Sequence, residues 1–248
     1  MKAGSESPRE IVSVSSGAPS STREPFLCDQ VSLNNVGKCL LMNRIMKWRK
    51  REISKGVLFL ASLTFALHLG DRLVATTLAA SPEAVKTLAG LFSLFSQPAL
   101  LLPCCVLVAF SGSVIPSGNR IAQIGMVCFC SSSAAVALSL VLKHVIGRAR
   151  PNAHLAFDPH VFRPLAFHDA FASFPSAQAA CAAAVFGAAF TCVPRLKRSL
   201  QIFIATLCAA RVLSGEHWLS DVMLGWAIGS LCATAVAYWF KPDAHANT

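Results

Sequence analysis

The chain has 248 residues, of which 54% are hydrophobic and only 14% are charged, and its mean hydropathy is +0.55. This composition excludes an ordinary soluble globular protein and predicts one polytopic membrane domain. The formal net charge is +10, and much of it lies in a basic cluster between Lys38 and Lys55, directly before the first apolar run. That placement favours a membrane surface over nucleic acid as the partner of the cluster.

The N-terminal segment, residues 1–54, is predicted to lie outside the membrane domain. Residues 1–30 are rich in Ser, Pro, Gly and charge without apolar periodicity, which is typical of a disordered tail. Residues 31–54 fit either an amphipathic surface helix or a solvated basic linker. The predicted organisation is a basic cytoplasmic segment at 1–54, a membrane domain at 55–240 and a short tail at 241–248.

Six apolar segments make up the membrane domain, and a helix needs about 17–25 such residues to cross the hydrocarbon core. We therefore predict an all-α fold with six transmembrane helices. Small residues dominate the fourth segment and recur in the sixth as Gly225 and Gly229, which favours close helix packing in lipid. The six predicted spans lie near 55–74, 90–111, 121–142, 176–194, 199–215 and 218–240.

Basic residues predict the orientation of these spans. With six crossings, the cluster between Lys38 and Lys55 shares one side with Arg120, the Arg195 to Arg198 run and Lys241, and the positive-inside rule makes that side cytoplasmic. The loops at 71–89, 143–175 and 214–218 then face outward. We expect a multi-pass protein of a cell membrane, of the bacterial inner-membrane kind, with its functional site on the outer face.

The loop at 143–175 is longer than most connections within a domain. It contains several phenylalanines, which argues against disorder. Such a loop either lies at the membrane interface or packs as a cap over the helix ends, and both readings remain open.

Ionisable side chains that a membrane protein normally excludes are gathered between Lys143 and Asp221. A charge at the bilayer centre costs roughly 2.5–3.5 kcal/mol, so these groups need a functional explanation. Phosphate chemistry requires cations, fixed hydrogen-bond donors and a nucleophile in line with the leaving group. The candidate donors are the Lys143, Arg150 and Arg211 side chains and the Ser176–Ala177 step at a helix start.

His217 and Asp221 are four positions apart, the spacing that places two side chains on one helical face. The carboxylate can then hold a proton on one imidazole nitrogen and leave the other as a nucleophile. A single histidine at a helix end is usually structural, but the nearby cations favour an anion site here. Glu216 is interpreted only as a first-turn partner of the helix dipole.

Three motifs in this order resemble the type 2 phosphatidic acid phosphatase family, which is related to the vanadium haloperoxidases. Lys143-x6-Arg150-Pro151 matches the first motif fully. Arg211-x5-His217-x3-Asp221 matches the third, except that Ala210 replaces its leading serine. The resemblance covers about residues 85–240.

The resemblance implies a six-helix membrane phosphatase that acts on a lipid phosphate without a metal or other cofactor. His217 would form a phosphohistidine and Asp221 would orient it. The phosphate would be bound by Lys143, Arg150, Ser176, Ala177 and Arg211.

The middle motif departs from the family pattern, because Pro175-Ser176-Ala177-Gln178 replaces Pro-Ser-Gly-His. Ala177 still offers a backbone amide to an anion. Gln178 stands where the family has its general acid, and an amide cannot deliver a proton. General acid catalysis is worth about 10²–10⁴-fold, so activity would fall unless a loop histidine substitutes: His154, His160 or His168.

The leading hypothesis is a phosphohydrolase for a lipid phosphate or diphosphate at the outer leaflet. Gln178 favours diphosphates, whose leaving group is a stable anion. The alternative is a weak or inactive relative that binds a phospholipid or prenyl phosphate, although His217 and Asp221 argue against binding alone. A channel or transporter fits less well, because charges are few away from the motif-bearing helix ends and no inverted repeat is visible.

Overall fold

The computed structural model describes Ser54, Gly56, residues 58–153 and residues 158–240. The chain divides into two units, Met1–Val57 and Leu58–Thr248, and the fold reported below is that of the second. The predictions for residues 1–53, for His154 and for the tail at 241–248 lie outside the described residues, and the predicted domain boundaries stay predictions.

The described part of the chain is helical and contains no strand, so the predicted all-α class is confirmed. The first helix includes a π-helical turn at Ala66–Gly70. Short 3-10 turns occur at Leu94–Ser96, Asp169–Phe171 and Pro194–Leu196. The helices are α1 (Leu58–Ala79), α2 (Glu83–Ser93), α3 (Pro98–Val114), α4 (Asn119–Ile146), α5 (Ala177–Cys192), α6 (Lys197–Leu213) and α7 (Leu219–Trp239).

Within the described residues, four helical stretches are long and apolar enough to cross a membrane: Leu58–Ala79, Glu83–Val114, Asn119–Ile146 and Leu219–Trp239. Helix α5 has 16 residues and α6 has 17, so their length alone does not identify them as spans. The prediction of a helical membrane protein is thus confirmed, while the count of six crossings is not.

Two predicted spans differ in their bounds. Helix α1 continues to Ala79, so residues predicted to begin the outer loop at 71–89 are helical. The predicted span at 90–111 is interrupted at Gln97, whose backbone is extended (φ −66°, ψ 131°). Pro98 causes this break, because a proline disfavours helical geometry in the residue before it and is itself well suited to the first position of a new helix.

Helix α5 forms the centre of the bundle and packs between α4 and α7. Its alanines from Ala179 to Ala184 are almost completely buried. A Cβ added to Gly225 of α7 would collide with the carbonyl oxygen of Ser176, and one added to Gly229 would collide with that of Ala180. The predicted packing of small residues is therefore confirmed, and it sets the N-terminal ends of α5 and α7 side by side.

The described part of the long loop folds back on the end of α4. Gly147 ends α4 in the left-handed conformation (φ +63°), where a side chain would be strained and would meet the Arg163 carbonyl. The Arg163 N–H in turn donates to the Gly147 carbonyl at 2.6 Å, and the Arg150 N–H donates to the Ala170 carbonyl at 2.8 Å. These backbone bonds favour the cap over the interfacial reading of the loop.

Candidate active site

Asp221, in the first turn of α7, is fully buried and lies at the centre of the site. One carboxylate oxygen, Oδ1, accepts from Arg148 Nη1 at 2.6 Å. The other, Oδ2, accepts from Ser173 Oγ at 2.5 Å and from the Trp218 N–H at 2.9 Å. The Asp221 carbonyl accepts from the Ser176 N–H at 3.0 Å, which joins α7 to the start of α5. This carboxylate is therefore held in one orientation from three directions.

His217 lies two residues before α7, so it does not share a helical face with Asp221 as the spacing predicted. The turn nevertheless brings the two together, with His217 Nδ1 3.5 Å from Asp221 Oδ2. That distance is at the limit of hydrogen bonding, and Nδ1 has no well-aligned partner among the described residues. The imidazole is 2% exposed. Burial lowers the pKa of His217 to about 4 and outweighs the opposing attraction of Asp221, so the ring is neutral at pH 7.

The three predicted cations meet beside this histidine. Lys143, in the last turn of α4, is close enough to Arg150 and Arg211 for their charges to interact, and His217 interacts with Lys143 and Arg211. No described residue gives the Lys143 ammonium a hydrogen bond or an ion pair. Arg211 Nη1 donates to Ser93 Oγ at 3.1 Å, while its buried Nε has no partner in the described part of the chain. Such unpaired donors are suited to an incoming anion.

The Pro-Ser-Ala-Gln step begins α5 as predicted. Ser176 is its buried N-cap and accepts from the Ala179 N–H at 3.4 Å. The Ala177 and Gln178 amides, which follow the cap, find no acceptor among the described residues. The half-buried Gln178 side chain accepts from Ser96 Oγ at 3.2 Å. The helix start thus offers backbone N–H groups to an anion, whereas the Gln178 side chain is engaged with the segment that follows α2.

The two described loop histidines make their contacts away from Gln178. The His160 ring stacks on His68 with a centroid distance of 6.1 Å, and its Nδ1 lies 3.3 Å from Asp158 Oδ1. His168 Nδ1 accepts from the Ala170 N–H at 3.2 Å. No described contact joins either of them to Gln178.

Arg148 is a functional residue whose role the sequence analysis missed. It is fully buried, and its guanidinium joins two carboxylates: Nη1 to Asp221 as above, and Nη2 to Asp71 Oδ2 at 2.7 Å. It also donates to the Pro159 carbonyl at 2.8 Å and to Ser220 Oγ at 2.7 Å. Rings from three residues surround it at 5.5–5.8 Å: Phe162, Phe174 and Trp218. All three of its guanidinium nitrogens donate within the protein, so Arg148 fixes Asp221 instead of serving a ligand.

Asp71 was also missed, although an ionisable residue in an apolar span is the kind of signal that identifies a site. It lies in α1, and its Oδ1 accepts from the Ser220 N–H at 2.8 Å while Oδ2 accepts from Ser220 Oγ at 2.5 Å. Through Arg148 and Ser220 it connects the first helix to the first turn of α7.

The interpretation of Glu216 as a dipole partner is wrong, because it precedes α7 and its carboxylate is bound by the arginines. It accepts from Arg211 Nη2, and its Oε2 lies 3.7 Å from Arg150 Nη1. Partial burial raises the pKa of Glu216, but the charge and hydrogen bond of Arg211 outweigh it and hold that pKa below its ordinary value. Glu216 is therefore an anion within the predicted phosphate site.

A cavity of about 350 Å³ opens beside His217, between α1, the start of α2 and the turn before α7. Its walls are mainly apolar, and the polar side chains that line it besides His217 are Asp71, Glu83, Lys86, Asn152 and Ser214. Among the described residues, no group of three or more His, Cys, Asp or Glu side chains is arranged to hold a metal ion.

Residues 125–244 match the family model of the PAP2 superfamily. A lipid A 1-phosphatase of Rhizobium etli is 32% identical over 169 residues, which cover 63% of this chain and 73% of the relative. A second, from Rhizobium johnstonii, is 31% identical over 170 residues, which cover 64% and 70%. In fold, the chain resembles a transmembrane PAP2 type phosphatidylglycerolphosphate phosphatase from Bacillus subtilis, with a TM-score of 0.56 and 21% identity over 75% of this chain and 94% of that one.

Proposed function

Because the chain belongs to the PAP2 superfamily of membrane phosphatases, we propose that it removes phosphate from a lipid through a phosphohistidine formed on His217. The observation that carries this proposal is the meeting of a buried, neutral imidazole with an oriented carboxylate and three cations. A site that only bound an anion would need the cations but not the oriented nucleophile.

The chemistry assigns one task to each group. Lys143, Arg150 and Arg211 neutralise the nonbridging phosphate oxygens, and the amides at the start of α5 donate to the same oxygens. Asp221 holds the proton of His217 on Nδ1 as a hydrogen-bond acceptor, which leaves the Nε2 lone pair for attack on phosphorus. The bond from phosphorus to the lipid oxygen breaks as the bond to Nε2 forms. Water then hydrolyses the phosphohistidine and releases inorganic phosphate.

The leaving group decides which lipids suit this site, because Gln178 cannot protonate it. A simple lipid alcohol leaves as a strongly basic alkoxide. The curated relatives are named for the 1-phosphate of lipid A, and position 1 of a sugar is its anomeric carbon, whose oxygen leaves as a less basic anion. We therefore propose a glycolipid 1-phosphate as the substrate class. A lipid diphosphate is the second candidate: the lipid monophosphate that departs from it is stable without a proton, but both relatives are named for a 1-phosphate.

The proposed topology has six crossings, with α5 and α6 among them, and the site on the outer face. The ends of α4 and α6 and the starts of α5 and α7 all contribute to one site, which supports a topology in which α5 leads away from that site and α6 returns to it. Helix α5 is short for a span, but protein surrounds it where a lipid-facing helix would meet the bilayer. The basic residues predicted to be cytoplasmic support this orientation.

The test is phosphate release by the purified full-length protein in detergent, with a chelator present, from three substrates: a lipid A 1-phosphate, phosphatidic acid and a prenyl diphosphate. We expect kcat/KM to be highest for the 1-phosphate and lowest for phosphatidic acid. His217→Ala should abolish release, and brief incubation of the intact protein with labelled substrate should leave an acid-labile phosphate on the chain. Binding of all three lipids without turnover, followed by turnover in Gln178→His, would instead identify an inactive relative.

A further inference from the structure

The Glu216 carboxylate occupies the space between the two arginines of the proposed phosphate site. It accepts from Arg211 Nη2, and its Oε2 is 3.7 Å from Arg150 Nη1. The Arg211 side chain is 3% exposed, whereas that of Glu216 is 36% exposed. The anion is thus the more exposed member of the pair, and the cation is the buried one.

A carboxylate and a phosphate bind a guanidinium in the same way, because both present two oxygens to its parallel N–H groups. The described bonds of Arg211 use one N–H of Nη1, on Ser93, and one N–H of Nη2, on Glu216, while Nε has no partner in the described part of the chain. A phosphate that engaged Arg211 and Arg150 with two oxygens would take the position of the Glu216 carboxylate.

Glu216 can give up this position without disturbing the fold. The residue before it, Gly215, adopts a left-handed conformation (φ +73°) with open space around it. Helix α7 begins only at Leu219, so Glu216 contributes nothing to its first turn. Rotation of the glutamate side chain toward solvent separates the carboxylate from both arginines.

We propose that Glu216 is a built-in competitor for the phosphate subsite: its carboxylate binds Arg211 and Arg150 when the site is empty, yields to the substrate phosphate, and replaces inorganic phosphate as the product leaves. This rests on the proposed function. It follows that Glu216 weakens the binding of free phosphate, which three cations without a counter-anion would retain.

The experiment compares Glu216→Gln with the full-length protein, both in detergent at pH 7 and one ionic strength. Isothermal titration gives the Kd of inorganic phosphate and orthovanadate, and inhibition of lipid-phosphate hydrolysis gives the corresponding inhibition constants. We expect both ligands to bind about tenfold more tightly to Glu216→Gln, the low end for loss of a charge-assisted competitor that is partly exposed. Glu216→Ala should behave in the same way, which guards against a specific effect of the new amide.

Asp158→Asn is the matched control. It removes one negative charge from the cap that follows α4, where Asp158 is exposed and pairs with His160. Its phosphate affinity should be unchanged, so a general effect of net charge is separated from competition at the site. Unchanged or weaker phosphate binding in both Glu216 variants would overturn the inference, and weaker binding would indicate that Glu216 positions the arginines. If the intact protein hydrolyses no lipid phosphate and binds neither anion, the proposed function itself fails.

Discussion

Replacing Arg148 by methionine should destabilise the whole fold. Methionine has a similar length and fills much of the same space, but it removes the cation between two buried carboxylates. Arg148 lies 2.6 Å from Asp221 Oδ1 and 2.7 Å from Asp71 Oδ2. Removing one partner of a buried ion pair costs about 3–5 kcal/mol. Domain stabilities are typically about 5–15 kcal/mol. At about 2–4 °C per kcal/mol for a chain of this size, the melting temperature should fall by about 6–20 °C.

A double-mutant cycle with Asp71→Asn tests the reason for this loss. In Arg148→Met the Asp71 carboxylate is buried without its cation, so Asp71→Asn should destabilise the intact protein but partly restore the variant. The two effects should therefore differ from additivity by about 1 kcal/mol or more. Thermal unfolding in detergent, followed by tryptophan fluorescence, provides the measurement.

Arg150→Met is the matched control for Arg148→Met, because it removes the same side chain two residues away. Arg150 donates to the Asp169 carbonyl at 2.9 Å and stands at the edge of the site. The Arg150→Met variant should lose most of the phosphatase activity and little of the thermal stability. Equal melting temperatures for the Arg148 and Arg150 variants, or additive effects of Arg148→Met and Asp71→Asn, would refute the role assigned to Arg148.

Three further predictions concern chemistry and topology. His217 must be neutral to attack, and burial holds its pKa near 4. After division by the fraction of substrate phosphate that is fully ionised, whose pKa is about 6, kcat/KM should therefore stay level through pH 6.5 and decline only near pH 4. An acidic limb that persists at 6.5 after this correction would contradict the prediction. Gln178→His should raise hydrolysis of phosphatidic acid more than that of a lipid diphosphate, whereas equal gains would show that leaving-group protonation is not the limitation. In an otherwise cysteine-free protein, a cysteine at position 160 should react with an impermeant thiol reagent from outside intact cells, and reaction from the cytoplasmic side alone would reverse the proposed orientation.

The sequence was sufficient to predict the candidate site residues that lie near one another along the chain. His217 and Asp221 are close along the chain, and any compact turn there keeps them together. Lys143 and Arg150 flank the end of α4, where Gly147 turns the chain back on itself. Their meeting with Arg211 was predicted from the topology of the spans, and the helix order of the structure accounts for it.

Contacts between distant segments were not predictable in the same way. Asp71 and Arg148 are 77 residues apart, and nothing in either neighbourhood indicates that they pair. Arg148 and Arg150 are the same residue type two positions apart, yet one is sealed among aromatic rings and carboxylates while the other reaches the site. Which of the two can bind a ligand depends on how the cap folds over α4. In the sequence, only the family motif distinguishes Arg150 from Arg148.

The two sets of charges have different tasks in the proposed reaction. Beneath His217, the contacts of Arg148 with Asp71 and Asp221 join one cation to two carboxylates, a formal charge of −1. On the phosphate side, Lys143, Arg150 and Arg211 outnumber Glu216 to give +2. In the proposed reaction, the ring of His217 acquires positive charge at Nδ1–H as it bonds to phosphorus, and the negative set beside it would stabilise that charge. The positive set stabilises the phosphoryl oxygens at the same moment. Glu216 lies on the phosphate side, but its negative charge cancels one of the three cations. If the carboxylate moves away when the substrate binds, as proposed, all three cations become available to the phosphate.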